Sequence, residues 1–181
     1  MELWLLIVLA VVVIWIIFVY NSLIRVHNQV KNAWAQIDVQ LKRRADLIPN
    51  LIESVKGYMK HEKGVLTEVT KARTAMMSAE SPTQKAEANN MLTGALKSLF
   101  AVSENYPELK ANENFLQLQE ELVGTENKVA YSRQHYNDMV MRYNTKLEVF
   151  PNNILSSTMR FTKRDSFEAD DADKKPVKVS F

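Results

Sequence analysis

Histidine is the side chain best suited to acid–base or metal chemistry near neutral pH, and this sequence has three: His27, His61 and His135. None belongs to a Glu-x-x-His or His-Glu-x-x-His motif, and His61 followed by Glu62 is more typical of a solvated pair than of two metal ligands. The sequence has no glycine-rich phosphate loop, no Gly-x-Ser-x-Gly motif and no cysteine. We therefore predict no catalytic residue, no cofactor and no metal, and keep a hydrolase with an unrecognised site as a third hypothesis.

The distribution of charge does not favour binding to nucleic acid. Lysine and arginine number 23, aspartate and glutamate number 21, and the basic residues are dispersed among the acidic ones. The densest basic run is Lys42, Arg43 and Arg44, which we interpret as a solvated helix face. Contact of this run with anionic lipid headgroups is the alternative.

Polar residues that interrupt an apolar helix seam are better candidates for function. Glu126 and Arg133 interrupt the seam of the third predicted long helix, and a Tyr-Asn pair recurs there after seven residues. Such residues are either buried, hydrogen-bonded groups that fix the register between helices or parts of a subunit interface, and the sequence leaves both interpretations open. The candidate interface or register residues are Arg43, Arg44, Pro49, Asn50, Glu126, Arg133, Tyr136, Asn137, Tyr143 and Asn144.

The elements that must position these residues begin with an apolar N-terminal segment. Leu3 to Val19 is an unbroken apolar run of 17 residues, comparable in length to the ~30 Å hydrocarbon core of a bilayer. The run ends in aromatic residues without a small-residue cleavage site, so we predict a retained transmembrane anchor over residues 1–20. Basic residues follow the run and none precedes it. The positive-inside rule then predicts a single-pass protein of the cell inner (cytoplasmic) membrane, with the N-terminus outside and the C-terminal domain in the cytoplasm.

Residues 21–160 show the apolar spacing of long helices. The chain has only 4 glycines and 5 prolines, and apolar residues recur every three or four positions. The predicted fold class is all-α: an N-terminal transmembrane helix followed by an antiparallel, coiled-coil-like bundle of three to four long helices.

Prolines and capping residues indicate where these helices begin and end. The first soluble helix is predicted to continue to about Met77, with Pro49 either kinking or splitting it. A capping box at Ser81 predicts the start of the second helix. The remaining predicted boundaries are a third helix from Asn112 or Glu113 that Pro151 closes, and a short helix capped by Asn152 or Asn153 that runs through Met159.

Residues 161–181 lose this periodicity and mix acidic with basic side chains, so we predict a disordered tail. The predicted organisation is therefore an anchor (residues 1–20), a helical bundle (21–160) and a tail (161–181).

Two blocks of sequence carry a more specific pattern. The first contains Tyr20-Asn21, Asn28 to Ala33, Ile37 to Arg44, Asp46 to Leu51, Val55 to Tyr58, His61-Glu62 and Ala72-Arg73. The second contains Tyr106-Pro107, Leu109 to Asn112, Phe115, Leu118-Gln119, Thr125 to Asn127, Arg133, Tyr136-Asn137, Tyr143-Asn144 and Pro151. In these residues the chain resembles the LemA family, over about residues 1 to 168. It departs from the family at Met159-Arg160-Phe161, where a glycine is expected before the phenylalanine.

The resemblance implies a single-pass membrane protein that carries a soluble antiparallel helical bundle and has no catalytic residues. It also implies a membrane metalloprotease or a TPM-domain protein as a partner.

Two functions fit these observations. The first is a non-enzymatic, membrane-anchored helical scaffold that self-associates at the inner membrane and organises or remodels it. Its partners would be membrane lipids and further copies of itself in a homo-oligomer, because anchors raise the local concentration of their domains. The alternative is an adaptor or sensor for a membrane protease or an envelope-stress system, with the tail as its contact segment.

Overall fold

The computed structural model describes residues 2–167 of the chain. Within this range there are six α-helices and no strand, so the all-α prediction is confirmed. The helices are α1 (Glu2–Lys56), α2 (Lys63–Ser78), α3 (Pro82–Ser103), α4 (Pro107–Lys110), α5 (Glu113–Glu148) and α6 (Asn152–Thr158).

The first part of α1 is the apolar run, and its side chains are exposed. Leu3, Trp4 and Phe18 each present most of their surface, and Val19 is the first buried residue in the described part of the chain. By its length and composition this helix is able to cross a membrane.

Pro49 lies inside α1 without ending it, so this proline does not split the helix. The helix ends instead at Lys56, where the backbone amides of Tyr58 and Met59 both donate to the Val55 carbonyl, at 3.0 and 2.9 Å. The prediction of one helix to about Met77 is therefore wrong. The apolar spacing keeps its phase across the turn formed by residues 57–62, and this continuity concealed the turn in the sequence.

The described chain divides into two compact units, and both long helices contribute residues to each of them. Unit 1 contains residues up to 36 and residues 134–166. Unit 2 contains residues 37–133 and Phe167.

Unit 2 is a bundle of four helical segments: the C-terminal part of α1, then α2, α3 and the N-terminal part of α5. Consecutive segments are joined by short connections and run antiparallel, as predicted. The rings of Phe100 on α3 and Phe115 on α5, for example, lie 6.2 Å apart on either side of the connection that holds α4. The larger core side chains are Ile37, Leu41, Ile48, Leu51, Val55, Met59, Val69, Met76, Leu92, Leu96, Leu99, Leu109, Phe115, Leu122 and Val129.

Two predicted helix starts are confirmed at the level of the hydrogen bonds. The Gln84 amide donates to Ser81 Oγ at 3.2 Å, and the Ser81 amide donates to Gln84 Oε1 at 3.3 Å, which is the reciprocal capping box. At the start of α5, Asn112 Oδ1 accepts the amide of Phe115 at 3.1 Å. The one-turn helix α4 was not predicted.

The short helix after Pro151 is present, but its predicted cap is wrong. Pro151 itself is the residue before α6, and no side chain caps the helix there. At the other end Arg160 has φ of 57°, and the Phe161 amide donates to the Ser156 carbonyl at 2.9 Å. This is the helix ending that favours glycine, at the position where the resemblance expects one.

Unit 1 pairs residues 21–36 of α1 with residues 134–148 of α5. Residues with higher numbers on α1 contact residues with lower numbers on α5, so the two segments are antiparallel. The contacts that define this register are Lys146 Nζ with Ser22 Oγ, the Tyr143 ring at 5.6 Å from the His27 ring, and the Tyr136 ring at 5.4 Å from the Trp34 ring.

Most of the predicted tail, residues 168–181, lies outside the described residues, so its disorder stays a prediction. Residues 161–167 are not helical, yet Arg164 and Asp165 are hydrogen-bonded to side chains of α5, and Phe167 is buried. Charge composition could not indicate these contacts, because they are made by backbone groups.

Candidate functional site

Arg44 is a charged side chain in the core of unit 2, with 1% of its surface exposed. Its Nη1 donates to Asn89 Oδ1 at 2.8 Å and to Thr93 Oγ1 at 3.0 Å, both on α3. Its Nη2 lies 3.5 Å from Glu126 Oε2 on α5. One guanidinium group thus joins three helices, which is the arrangement expected of a residue that fixes their register.

The electrostatics of this cluster are unbalanced. Burial lowers the pKa of Arg44, and the Glu126 carboxylate acts in the opposite direction. The Glu126 side chain is 43% exposed, so water screens the ion pair from one side, and Arg44 Nε has no hydrogen-bond partner among residues 2–167. Such a buried charge adds little net stability, because desolvation offsets most of its pairing energy, and it penalises every helix arrangement that leaves it unpaired.

The interpretation of the basic run as a solvated face is wrong for Arg44. Lys42 and Arg43 are exposed, whereas Arg44 lies on the buried seam. The signal was present in the sequence, since position 44 continues the alternating spacing of three and four from Leu41 to Ile48.

Pro49 creates a second polar feature in unit 2. Its nitrogen carries no hydrogen, so the Ala45 carbonyl four residues earlier loses its helical partner. Arg73 on α2 donates its Nε–H to this carbonyl at 3.0 Å. Ala45 is fully buried, so without Arg73 its carbonyl would stay unsatisfied.

In unit 1, His27 lies against two aromatic rings, those of Tyr143 at 5.6 Å and Phe161 at 6.4 Å. Burial lowers the pKa of His27, and the nearby charges of Lys31 and Arg164 lower it further. Its Nδ1 is buried without a hydrogen-bond partner in the described part of the chain. These surroundings favour a neutral imidazole that packs as an aromatic ring.

The predicted residues Tyr136 and Asn144 hold the segment that follows α6. Asn144 Nδ2 donates to the Arg164 carbonyl and Asn144 Oδ1 accepts the Arg164 amide, both at 2.9 Å. The Tyr136 hydroxyl donates to the Asp165 carbonyl at 3.0 Å. One residue of each Tyr-Asn pair therefore binds the backbone of a non-helical segment of the same chain.

Four further predicted residues lie on α1 and α5. Arg43 and Asn50 are exposed, and Arg133 and Asn137 are half-buried on α5. Sequence reasoning missed Asn89 and Thr93 as candidates. Asn89 lies three residues before Leu92, in the spacing of the buried face of α3, but only the packed bundle reveals Arg44 as its partner. Arg73 was recognised within the family pattern but was not linked to Pro49.

The described residues contain no group of three or more metal-ligating side chains. A groove of about 760 Å³ lies open to solvent in unit 2, along α2 and the end of α1. Its polar lining consists of the lysines and threonines Lys56, Lys60, Lys63, Lys71, Thr67, Thr70 and Thr74. This groove offers positive charge and hydroxyl groups, but it contains neither a general base nor an activated nucleophile.

Comparison with known proteins adds a family assignment. The LemA family profile matches residues 33–181. Protein LemA of Metamycoplasma hominis is 27% identical over 171 aligned positions, which cover 90% of this chain and 77% of that protein. Magnetosome proteins MamQ 2 and MamQ 1 of Paramagnetospirillum magneticum are each 22% identical over 184 aligned positions, covering 87% of this chain and 68% of theirs.

Proposed function

This chain belongs to the LemA family, and from that premise we propose that it is a non-enzymatic, membrane-anchored helical scaffold that self-associates at the cell inner membrane. The names of the two MamQ relatives assign them to the magnetosome, which supports a role in organising a cellular structure.

The observation that carries the proposal is the exposed apolar start of α1. Between Leu3 and Ile14 every large apolar side chain is exposed, whereas soluble proteins rarely leave an apolar surface of this extent uncovered. A lipid bilayer is the environment that covers such a helix. The same helix continues without interruption to Lys56, so an anchored copy carries part of the bundle on the anchoring helix itself.

Self-association is supported by an exposed apolar seam on α5 in unit 2, which we call the α5 seam. It consists of Leu116, Val123 and Tyr131, spaced seven and eight residues apart, so that the three side chains lie along one helix face. Tyr131 is 75% exposed. Pairing of these seams between copies would bury apolar surface. Anchors in one membrane favour this pairing, because they raise the local concentration of the seams.

The experiment is single-molecule photobleaching of the full chain in lipid bilayers of inner-membrane composition. The test variant is Leu116→Ser/Val123→Ser/Tyr131→Ser, and the matched control is Val39→Ser/Met91→Ser, which removes exposed apolar side chains elsewhere in unit 2. We expect the wild-type chain and the control to bleach in several steps and the α5 seam variant to bleach mainly in one. A wild-type chain that stays monomeric at high density in the bilayer would contradict self-association.

The proposed orientation has its own test, because the chain contains no cysteine. A single Met91→Cys variant places one thiol on an exposed position of α3. If the bundle lies in the cytoplasm, a membrane-impermeant maleimide should label this thiol in disrupted cells and spare it in intact cells with a permeabilised outer envelope. Labelling in both preparations would reverse the orientation.

The absence of an enzymatic activity is tested with the full chain in detergent, by metal analysis and a broad hydrolysis screen. We expect no bound metal and no turnover above that of the Arg44→Met variant.

The adaptor alternative is favoured by one observation, the lysine-lined groove of unit 2. No acidic side chain lines it, so its complement is an acidic peptide segment. Pull-down with the wild-type chain and a Lys60→Glu/Lys63→Glu variant tests it. A partner that the wild-type chain captures and the variant loses would favour an adaptor.

A further inference from the structure

The turn after α5 and the short helix α6 that follows it carry an unusual concentration of exposed apolar side chains. Val149, Phe150, Ile154 and Met159 are all exposed, and Phe150 presents 74% of its surface. We call these four residues the apolar turn. Nothing in the described part of unit 1 covers them.

The register of unit 1 places the start of the apolar turn, Val149 and Phe150, level with the end of the anchor. Lys146 Nζ contacts Ser22 Oγ, and both helices rise ~1.5 Å per residue in opposite directions. Three or four residues beyond Lys146, the chain is therefore level with residues 18–20 of α1. The His27–Tyr143 ring contact fixes the same register one to two turns away.

The burial of α1 agrees with this register. Trp15 and Ile16 are half-buried, Val19 is only 8% exposed and Leu23 is fully buried, all on one face of α1. The protein thus begins to cover α1 over the last five residues of the apolar run, and Val149 and Phe150 lie at that level.

We propose that the apolar turn is a second membrane contact, in which Phe150 and Ile154 insert into the lipid interface beside the C-terminal end of the anchor. The inference rests on the membrane anchorage proposed above, since it takes the end of the anchor as the level of the membrane surface. Apolar side chains at an interface gain free energy in proportion to the area that leaves water.

The charge of the surrounding segment suits a lipid surface. Residues 149–164 contain Arg160 and Arg164 and no acidic residue, and the third basic residue there, Lys163, pairs with Glu148 just before the segment. Arg160 is exposed, and Arg25 is exposed on the facing helix close to the anchor. Cationic side chains next to inserted apolar ones are the usual composition of a segment that lies on an anionic membrane.

The contact makes the anchor a two-point attachment. A single helix is free to tilt and rotate, whereas an inserted turn on the antiparallel helix restricts both motions of unit 1. The orientation of unit 1 to the membrane is then set by the Ser22–Lys146 register.

The experiment measures the depth of four positions in lipid vesicles that contain the full chain. Because the chain has no cysteine, single variants Phe150→Cys, Ile154→Cys, Met141→Cys and Val12→Cys can each carry one environment-sensitive NBD label. All four positions are exposed, so the label replaces no core contact. Lipids with spin labels near the glycerol backbone serve as the quencher. Val12 reports the anchor, and Met141 is the matched control on α5, level with residues near His27.

We expect quenching and a blue-shifted emission at positions 150 and 154, and an unquenched, water-like emission at position 141. At position 12, lipids labelled deep in the acyl chain should quench. If position 12 is quenched while positions 150 and 154 match position 141, the inference is overturned and the anchor stands. If position 12 is not quenched, the proposed anchorage fails as well.

A second copy of the chain is the alternative to lipid as the surface that covers the apolar turn. Dilution of the protein in the vesicles distinguishes the two. A blue shift at position 150 that survives at one chain per vesicle, with quenching by lipid, supports insertion. A blue shift that needs high protein density and shows no quenching by lipid would overturn it.

Discussion

Arg73 of α2 replaces the hydrogen bond that Pro49 of α1 cannot make. Its Nε–H donates to the Ala45 carbonyl at 3.0 Å, the group that the missing amide of Pro49 leaves free. A proline inside a helix and an arginine 24 residues later are thus parts of one structural unit, which allows α1 to continue to Lys56.

The first prediction is that Arg73 and Pro49 are energetically coupled. Arg73→Met should destabilise the protein by about 1–3 kcal/mol, because it leaves a buried carbonyl without a donor. In a Pro49→Ala background the cost should fall by about 1 kcal/mol, since the new amide can bond to Ala45. Chemical denaturation of the full chain in mild detergent, followed by circular dichroism, measures the stability of the wild type, the two single variants and the double variant. Lys71→Met, an exposed change on the same helix, should alter stability by less than about 0.5 kcal/mol. Equal costs in both backgrounds would contradict the coupling.

The second prediction concerns the buried guanidinium of Arg44. Arg44→Met should cost about 1–3 kcal/mol, because Asn89 loses its partner inside the core. Adding Asn89→Leu should recover most of this loss, since apolar replacements of buried polar groups are often neutral. The neighbouring Arg43→Met is the control and should be nearly silent, because Arg43 is exposed. The same denaturation assay measures these changes in stability. A double variant less stable than Arg44→Met would contradict the explanation that the unpaired Asn89 causes the loss.

The third prediction tests the backbone contacts of Asn144. Asn144→Ala removes both hydrogen bonds to Arg164 and should loosen residues 161–167 by about 1 kcal/mol, or roughly fivefold in opening. Amide exchange at Arg164 and tryptic cleavage after Lys163 should accelerate accordingly. Asn127→Ala, an exposed change on the same helix, should leave both rates unchanged. Unaltered exchange in the Asn144 variant would show that other contacts hold the segment.

The fourth prediction is a pH dependence that originates at His27. Burial and the charges of Lys31 and Arg164 lower its pKa below the ordinary value of 6.5. Between the lowered pKa of His27 in the folded chain and its value of 6.5 in the unfolded chain, the unfolded chain binds more protons. The contribution of His27 to stability is therefore complete above pH 6.5 and decreases as the pH falls below it. His27→Gln should reduce this decrease below pH 6.5. His61→Gln, at an exposed position, is the reference variant. If its pH profile and that of His27→Gln coincide, the dependence does not come from His27.

The fifth prediction follows from the backbone of Arg160. A φ of 57° costs a residue with a Cβ atom about 1 kcal/mol, so Arg160→Gly should stabilise unit 1 by up to that amount. Arg160→Ala keeps the Cβ atom and should give no comparable gain. A rise in the midpoint of thermal unfolding for the glycine variant alone is the expected result. Equal midpoints for the two variants would place the strain elsewhere.

Much of the fold is encoded locally and could be predicted. The apolar run, the capping box at Ser81 and the start of α5 at Asn112 depend on residues within one turn of each other, so their sequence patterns are sufficient. The exception among local features is the turn at residues 57–62, which the uninterrupted apolar spacing obscured. The candidate residues Tyr136 and Asn144 were identified from their spacing, but their partner could not be, since it is backbone that carries no side-chain signature.

By itself, the sequence determined that the chain is helical, where most helices begin, and that its first residues are apolar enough to cross a membrane. Only the tertiary structure decided that Arg44 is buried while Arg43 is exposed, that Arg73 completes the helix at Pro49, and that Phe150 is level with the end of the anchor. The physical reason is the distance along the sequence over which each interaction acts. Helix propensity and capping act over one turn, whereas the partner of a buried polar group lies on another helix, at a position that packing alone selects.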